Sequence, residues 1–597
     1  MFSAERFLMR LLFLQLPRLD PDVTAPGENL MPAAACLRAA LERSPEAKHW
    51  DMIETPACQD TDSDAALAQH LAALAPDVLS ATCYLWNIER TLHLLRLLKK
   101  RLPGLKIVIG GPDIAAEHPL LPETRDPRRA TSGSGLLNAG PRPQHLFPAD
   151  TLVVGEGEAV FPGVLRFFRT GRAPNFTGVS WRAADGRFTA GARPRPVRPL
   201  NDLLPAPEHP INRPDAFGMA YLETNRGCPL RCAFCCYNIR RTSTTCLPPE
   251  EVAARIRILR RRGAREIRLV DPTFNAHPRF DEVLGAMARE NRDRGVAFFV
   301  EIRADTLTDD QARRLAEAGV AEAEVGIQST DPEVLRILHR PLHAGRVLRG
   351  IEALLRHGVK PTLDFMYALP AQDENDIQRS LDWLARFGDA IHPQFLPTLL
   401  LPGTELRDRA QELGIRAQRL PPYRVQATDR LSAKSLASVE AWANARLGGF
   451  DSPTRRFVGT RLPDLFPARL RIGGAELGAA RGTPPAFANR QTAVLTGSDF
   501  FARRDAVAAR IRSCVRDEPH ILWQFVLEMR EEEPLDLFDY LIAVFRKLPG
   551  HWLDRLVSPP GQRRLCARRL FVKLPRGTRI DPAWAGEVED LLGAHFH

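Results

Sequence analysis

Four of the chain's ten cysteines fall within nine positions, in the stretch "RGCPLRCAFCCYN" that begins at Arg226. The spacing Cys228-x3-Cys232-x2-Cys235 puts three thiols on one short loop. Three thiolates can hold three irons of a [4Fe–4S] cube and leave the fourth iron open to a ligand. Electron-transfer ferredoxins close the cube with four cysteines, and structural zinc usually draws on two separated Cys/His pairs. Cys236 directly follows the third ligand, so its side chain points elsewhere and reads as a packed thiol. The other six cysteines (Cys36, Cys58, Cys83, Cys246, Cys514, Cys566) lie far apart and form no disulfide framework. One tight cluster among scattered thiols is the pattern of a metal or redox site in a reducing cytoplasm.

A chain of 597 residues needs several domains, because single cores stop growing at roughly 250–300 residues. The net charge of +10 is spread over many arginines, which reads as a solvated surface and disfavours a nucleic-acid partner. The opening "MFSAERFLMRLLFLQLPRLD" has an apolar run broken by Arg10 and lacks a small-residue cleavage site, so it reads as a buried first strand. No uncharged stretch has the length of a bilayer span, and the expectation is a soluble, cytoplasmic protein without a membrane partner.

Residues 1–198 alternate short apolar strands with amphipathic stretches: "RLLFLQLP", "MPAAACLRAALERS", "DVLSATCYLW", "NIERTLHLLRLLKKRLPG", "KIVIGGP", "DTLVVGEGE". That alternation predicts a doubly wound, Rossmann-like parallel sheet. Ligands of such sheets sit beyond the carboxyl ends of the strands. The strand tails are Tyr84, Leu85, Trp86 and Asn87; Gly110, Gly111 and Pro112; and Gly155, Glu156 and Gly157. A long polar loop, "LPETRDPRRATSGSGLLNAGPRPQHLFPAD", interrupts the strands, a hairpin turns at "ADGR", and residues 199–215 read as a Pro-rich linker.

From residue 216 to 430, "AYLETNRGCP", "EIRLVDPTFN", "VAFFVEIRAD", "AEAEVGIQST", "KPTLDFMYALP" and "PQFLPTLLLPGT" are six strands with intervening helices. They predict a (β/α)6 partial TIM barrel with the cysteine loop after its first strand, where barrel loops carry chemistry. Tyr367 and Glu301, at strand ends, are the candidate catalytic groups.

This constellation resembles the radical SAM superfamily, and with the N-terminal sheet it resembles the branch preceded by a cobalamin-binding domain. The resemblance implies a [4Fe–4S] cluster on Cys228, Cys232 and Cys235, S-adenosylmethionine (SAM) on the open iron, and cobalamin at the three strand tails. It implies that Phe234 packs near the adenine and that Asp271, Thr273 and Asn275 lie near the SAM amino group. It places Glu301 and Arg303 at the barrel mouth, Gln328 and Ser329 near the ribose and carboxylate, and Arg340 at the carboxylate. Two departures stand out. The Asp-x-His-x-x-Gly motif that supplies a lower cobalt ligand is absent, and Ala368 and Ala371 replace both glycines of a common Gly-Leu-Pro-Gly.

The implied activity is methyl transfer from SAM, by way of methylcobalamin, to an unactivated carbon or phosphorus centre of a natural-product, peptide or lipid-like substrate. An electron donor such as flavodoxin or ferredoxin is implied as partner. The alternatives are a non-methylating rearrangement or cyclisation, and a non-catalytic Fe–S or cobalamin sensor. A methylthiotransferase would need a second three-cysteine cluster, and Cys36, Cys58 and Cys83 are too isolated to form one. Residues 431–597 read as a mostly helical substrate or accessory domain, from "LSAKSLASVEAWANARL" and "DAVAARIRSCVRDEPHILWQFVLEMREE".

Overall fold

The computed structural model describes residues 8–22, 30–115, 118–121, 147–172, 178–183, 185–190, 199–237, 244–447, 455–473, 479–481 and 488–596. Most of the long polar loop before Thr151 lies outside the described residues.

The N-terminal unit is a seven-stranded sheet in the order Trp50–Ile53, Met9–Leu14, Val78–Thr82, Lys106–Gly110, Thr151–Val153, Val179–Arg182, Phe188–Ala190. The first five strands are parallel and the last two return antiparallel. The expected strands and helices form, including Pro32–Glu42 and Ile88–Arg101. Val78, Leu79, Ile107 and Ile109 are fully buried, as strands covered on both faces require. Two elements have no clear signature in the sequence: strand Trp50–Ile53, at the sheet edge and only four residues long, and helix Asp64–Ala73, too alanine-rich to show an apolar stripe.

The central unit is the six-stranded parallel sheet Met219–Leu222, Glu266–Leu269, Ala297–Ile302, Val320–Gln328, Lys360–Tyr367 and His392–Pro397, each strand paired with its sequence neighbour. It does not close, as a partial barrel requires. Helices Pro249–Arg261, Phe280–Glu290, Asp309–Ala318, Ala344–Arg356 and Glu374–Ala385 cover its outside. The stretch 199–215 is more than a tether, because Leu200, Leu203 and Leu204 bury themselves in the barrel core.

The C-terminal expectation needs correction. Helices Ala433–Leu447, Arg504–Asp517 and Leu535–Lys547 are present, but after residue 455 they accompany a six-stranded sheet. Its order is Val458–Gly459, Arg568–Lys573, Leu522–Glu528, Arg490–Thr496, Arg469–Gly473, Ala479–Arg481. "LWQFVLE", which by pattern continues the preceding helix, is a central parallel strand, because burial on both faces erases the alternation that marks a strand.

The three units interlock. The Glu518 carboxylate accepts from the backbone N–H groups of Asp64 and Ala65 at 3.0 Å each, at the start of an N-terminal helix. Arg555 pairs with Glu89 and donates to the Pro421 carbonyl at 2.6 Å. The Tyr423 hydroxyl donates to Asp113, directly after Pro112, at 3.1 Å. No helix among the described residues is long and apolar enough to cross a membrane.

Candidate functional site

The cysteine loop leaves the first barrel strand at Thr224 and Asn225, and the fully buried Asp271 holds that exit. Its carboxylate accepts from the backbone N–H groups of Thr224 (2.7 Å) and Asn225 (3.1 Å), from Asn225 Nδ2 (3.2 Å) and from the Thr224 hydroxyl. Burial pushes its carboxyl up to about 7. Asp271 thus shapes the root of the loop, with its acceptor positions engaged by protein.

The loop then turns tightly, the Cys235 N–H donating to the Cys232 carbonyl at 3.1 Å. Two backbone bonds fix it to the barrel, from Ala233 N to the Leu338 carbonyl (3.0 Å) and from Leu406 N to the Ala233 carbonyl (2.8 Å). Cys228 Sγ lies 3.4 Å from the Thr273 hydroxyl, and Arg340 Nη1 lies 3.4 Å from Cys232 Sγ. Burial raises the Cys235 thiol to about 12, and the charges of Cys236, Cys232 and Cys228 add to the rise. Three thiols on one loop tethered to the barrel supply the donor set for the three-cysteine face of a cube. All ten cysteines are free of disulfides. Phe234 is partly buried against the barrel core.

The other predicted residues divide. Asn275 ties the second strand to the third, donating to the Arg303 carbonyl (2.8 Å) and accepting from Arg303 N (2.9 Å). Arg303 is held by Asp305 at 2.8 and 2.5 Å. Gln328 sits at the fourth strand's end with φ +72°, and Arg340 donates to the Gly326 carbonyl. Ser329 is fully buried, accepts from Asp331 N at 3.1 Å, and lines a cavity of about 430 Å³ with Arg340, Leu335, Val347 and Trp383.

Glu301 reaches the mouth. Burial raises its carboxyl to about 7, and the charges of Glu324 and Asp271 add to the shift. Tyr367 does not reach it. On a strand of period two it shares a face with Phe365, which packs on Trp383 of the helix layer at 5.6 Å. Its hydroxyl accepts from Arg424 at 3.1 Å, in a buried network with Glu440. The opposite parity belongs to Asp364, which the sequence reading missed. Burial raises its carboxyl to about 9, with the Glu324 charge and hydrogen bond next in size. Hydrophobic patterning gave no hint of a carboxylate inside a strand as apolar as "KPTLDFMY".

The strand tails of the N-terminal sheet face this mouth. Burial raises the phenol of Tyr237, just past the cysteine loop, and Glu301, Cys236, Cys235 and Tyr84 all add to the rise. The rings of Tyr84 and Trp86 stack at 4.5 Å; Leu85 packs on the barrel core and Trp86 on the cluster of Leu19, Leu522 and Trp552. Asn87 turns inward, its Oδ1 accepting from Tyr84 N (2.8 Å) and its Nδ2 donating to the Leu16 carbonyl (2.9 Å), so it shapes the loop. Gly111 has φ +114°, and a Cβ there would lie 2.5 Å from the Cys83 carbonyl oxygen, so only glycine fits. Gly110 lies against Val153, and Pro112 and Gly155 are exposed at the sheet's carboxyl edge. A Cβ on Gly157 would meet Leu37 at 2.9 Å. Glu156 and Glu158 both turn toward Arg226, at 3.8 and 2.8 Å. Lined by glycines and exposed at Pro112 and Gly155, this edge suits a cofactor that lies against backbone, such as a corrinoid.

The radical SAM superfamily profile matches residues 222–384. The chain is 28% identical over 344 residues to a 2-(S-pantetheinyl)-carbapenam-3-carboxylate methyltransferase of Streptantibioticus cattleyicolor, covering 53% of this chain and 45% of that protein. It is 25% identical over 285 residues to the cobalamin-dependent radical SAM methyltransferase TokK of Streptomyces tokunonensis, covering 44% and 38%. The chain thus spans less than half the length of these curated relatives. Among solved structures, it superposes on the radical SAM methyltransferase TsrM from Kitasatospora setae, solved with cobalamin and a [4Fe–4S] cluster, at a TM-score of 0.53 and 14% identity over 69% of this chain and 77% of that one. The cobalamin-dependent enzyme OxsB, solved with aqua-cobalamin, superposes at 0.54 and 15% identity over 74% and 68%. Residues 222–384, the three-thiol loop and most of the six-stranded partial barrel, thus match the radical SAM superfamily, and the barrel with its Rossmann-like sheet shares the fold of TsrM and OxsB.

Proposed function

We propose that the protein is a cobalamin-dependent methyltransferase that moves a SAM-derived methyl to an unactivated carbon of a natural-product, peptide or lipid-like substrate. The observation that carries this reading is the meeting, at one mouth, of three thiols spaced for an open cube and the glycine-rich edge of the N-terminal sheet. The two relatives named as methyltransferases favour methyl transfer over a rearrangement.

Cys228, Cys232 and Cys235 would hold the cluster. Phe234, Thr273, Glu301, Gln328, Arg340 and Asp364 would surround the bound SAM. Tyr84 to Trp86, Gly110 to Pro112 and Gly155 to Gly157 would take the corrinoid. Bound together, these groups supply one-electron activation of SAM and a carrier for its methyl. The chain supplies orientation: Asp271 fixes the root of the cysteine loop, Asn275 and Arg303 join adjacent strand ends, and Arg340 spans the loop and the fourth strand. Glu301, raised to about 7, can hold or release a proton at its carboxyl near neutral pH. Electrons would come from a small flavodoxin- or ferredoxin-type donor.

The test is anaerobic incubation of the cofactor-loaded protein with SAM and dithionite, followed by mass spectrometry. Formation of S-adenosylhomocysteine supports the reading. 5′-Deoxyadenosine without S-adenosylhomocysteine moves it to the rearrangement class, and neither product overturns it.

A further inference from the structure

Arg226 stands two residues before the first cluster cysteine, and Gly227 between them has φ +92°. The Arg226 side chain has partners on both units. Nε and Nη2 donate to the two carboxylate oxygens of Glu223 at 2.6 and 2.8 Å. Nη1 crosses to the N-terminal sheet and donates to Glu158 at 2.8 Å, with Glu156 at 3.8 Å. One guanidinium therefore joins the root of the cysteine loop to the loop 155–158, whose glycines form the candidate corrinoid edge. All four side chains are largely sheltered, with exposures of 18% for Arg226 and 17%, 8% and 19% for Glu223, Glu158 and Glu156.

The geometry of the fork matters. A planar guanidinium gripping Glu223 at two points has one fixed orientation, so its third donor fixes where Glu158 must stand. Lysine, a single rotatable point charge, could satisfy one carboxylate but not set that angle. Both anchors are short: Glu223 is one residue past the end of a barrel strand, and Glu158 lies on a loop that begins directly after a sheet strand. Little slack separates the pair from either sheet.

We propose that Arg226 is a positioning residue that, through Glu158, sets the separation of the cluster loop from the corrinoid edge. The proposal rests on the two-cofactor reading above. Arg226 and Glu158 need touch neither cofactor; they act on the frame that carries both.

The experiment uses the full chain loaded with iron, sulfide and cobalamin, with the cluster reduced and the cobalamin held as cob(II)alamin. Microwave power saturation of the cob(II)alamin EPR signal reads the proximity of the paramagnetic cluster. Arg226→Gln and Glu158→Gln are each expected to lower the half-saturation power severalfold while iron and cobalamin per chain stay unchanged. Arg226→Lys falls between, and the double variant is no worse than Arg226→Gln, because one link is broken once. Half-saturation unchanged in Glu158→Gln with both cofactors retained overturns the proposal. Loss of either cofactor from Glu158→Gln also overturns it, since that would mean the pair builds a site and does not space two. A wild-type protein that takes up no cobalamin or no cluster contradicts the two-cofactor reading itself, a separate and visible failure.

Discussion

Arg340 places Nη1 3.4 Å from Cys232 Sγ and donates Nη2 to the carbonyl of Gly326. The bond to sulfur and the nearby positive charge both favour the more negative, reduced form of a cluster held there. Arg340→Met should therefore retain cluster iron but lower the reduction potential by an amount on the order of tens of millivolts. An EPR-monitored redox titration checks it; an unchanged potential would remove Arg340 from the cluster's surroundings.

Ala368 and Ala371 stand where the radical SAM sequences this segment resembles commonly have glycine, and both keep the conformation glycine would take, with φ +62° each. A left-handed alanine costs roughly 1–2 kcal/mol, partly offset because glycine loses more chain entropy on folding. Ala368→Gly and Ala371→Gly should each stabilise by roughly 0.5–1 kcal/mol, seen as a higher thermal midpoint. A lower midpoint in both would mean the alanine methyls carry packing that outweighs strain.

Those alanines mark how far the sequence could be read. The spacing of Cys228, Cys232 and Cys235 and the strand–helix alternation were legible because thiol spacing and periodicity are local. The roles of Asp271 and Asn275 were not: a carboxylate after a strand reads the same whether it faces a ligand or holds a turn 47 residues back, as Asp271 does at Thr224. Tyr367 and Asp364 show the limit most clearly, because a shift of one in strand parity exchanges which of them faces the lumen. Arg226 and Glu158, 68 residues apart, pair only through the docking of two sheets.

The two candidate catalytic side chains should separate in function. Glu301→Gln, which cannot take up a proton at the carboxyl, should lower SAM consumption by roughly a hundredfold. Tyr367→Phe, which loses a hydrogen bond from Arg424 outside the lumen, should stay within about threefold of wild type and cost about 1 kcal/mol of stability. SAM turnover and thermal melts on both variants decide this; a turnover defect confined to Tyr367→Phe would reverse the assignment.

His551 is fully buried, accepts from Leu553 N through Nδ1 at 3.2 Å and donates from Nε2 to the His520 carbonyl at 3.2 Å. Burial, with the Arg568 charge adding, lowers it from about 6.5 to about 3, and His520 is lowered as well. A depressed histidine leaves the folded state with fewer bound protons than the unfolded one between those values. Its contribution is therefore complete above pH 6.5 and is lost as pH falls toward 3. Between pH 7 and pH 5, wild type should lose more stability than His551→Asn, which keeps the cap acceptor without titrating. Urea unfolding at both pH values measures the difference, and equal losses would contradict the buried neutral state.

The cofactor content of the reconstituted chain tests the central claim most directly. After anaerobic loading with iron, sulfide and cobalamin and removal of the excess, wild type should hold about four irons and one cobalamin per chain. Cys228→Ala should lose the iron–sulfur absorbance and keep the cobalamin. Iron retained in Cys228→Ala, or no cobalamin retained by wild type, would contradict the account.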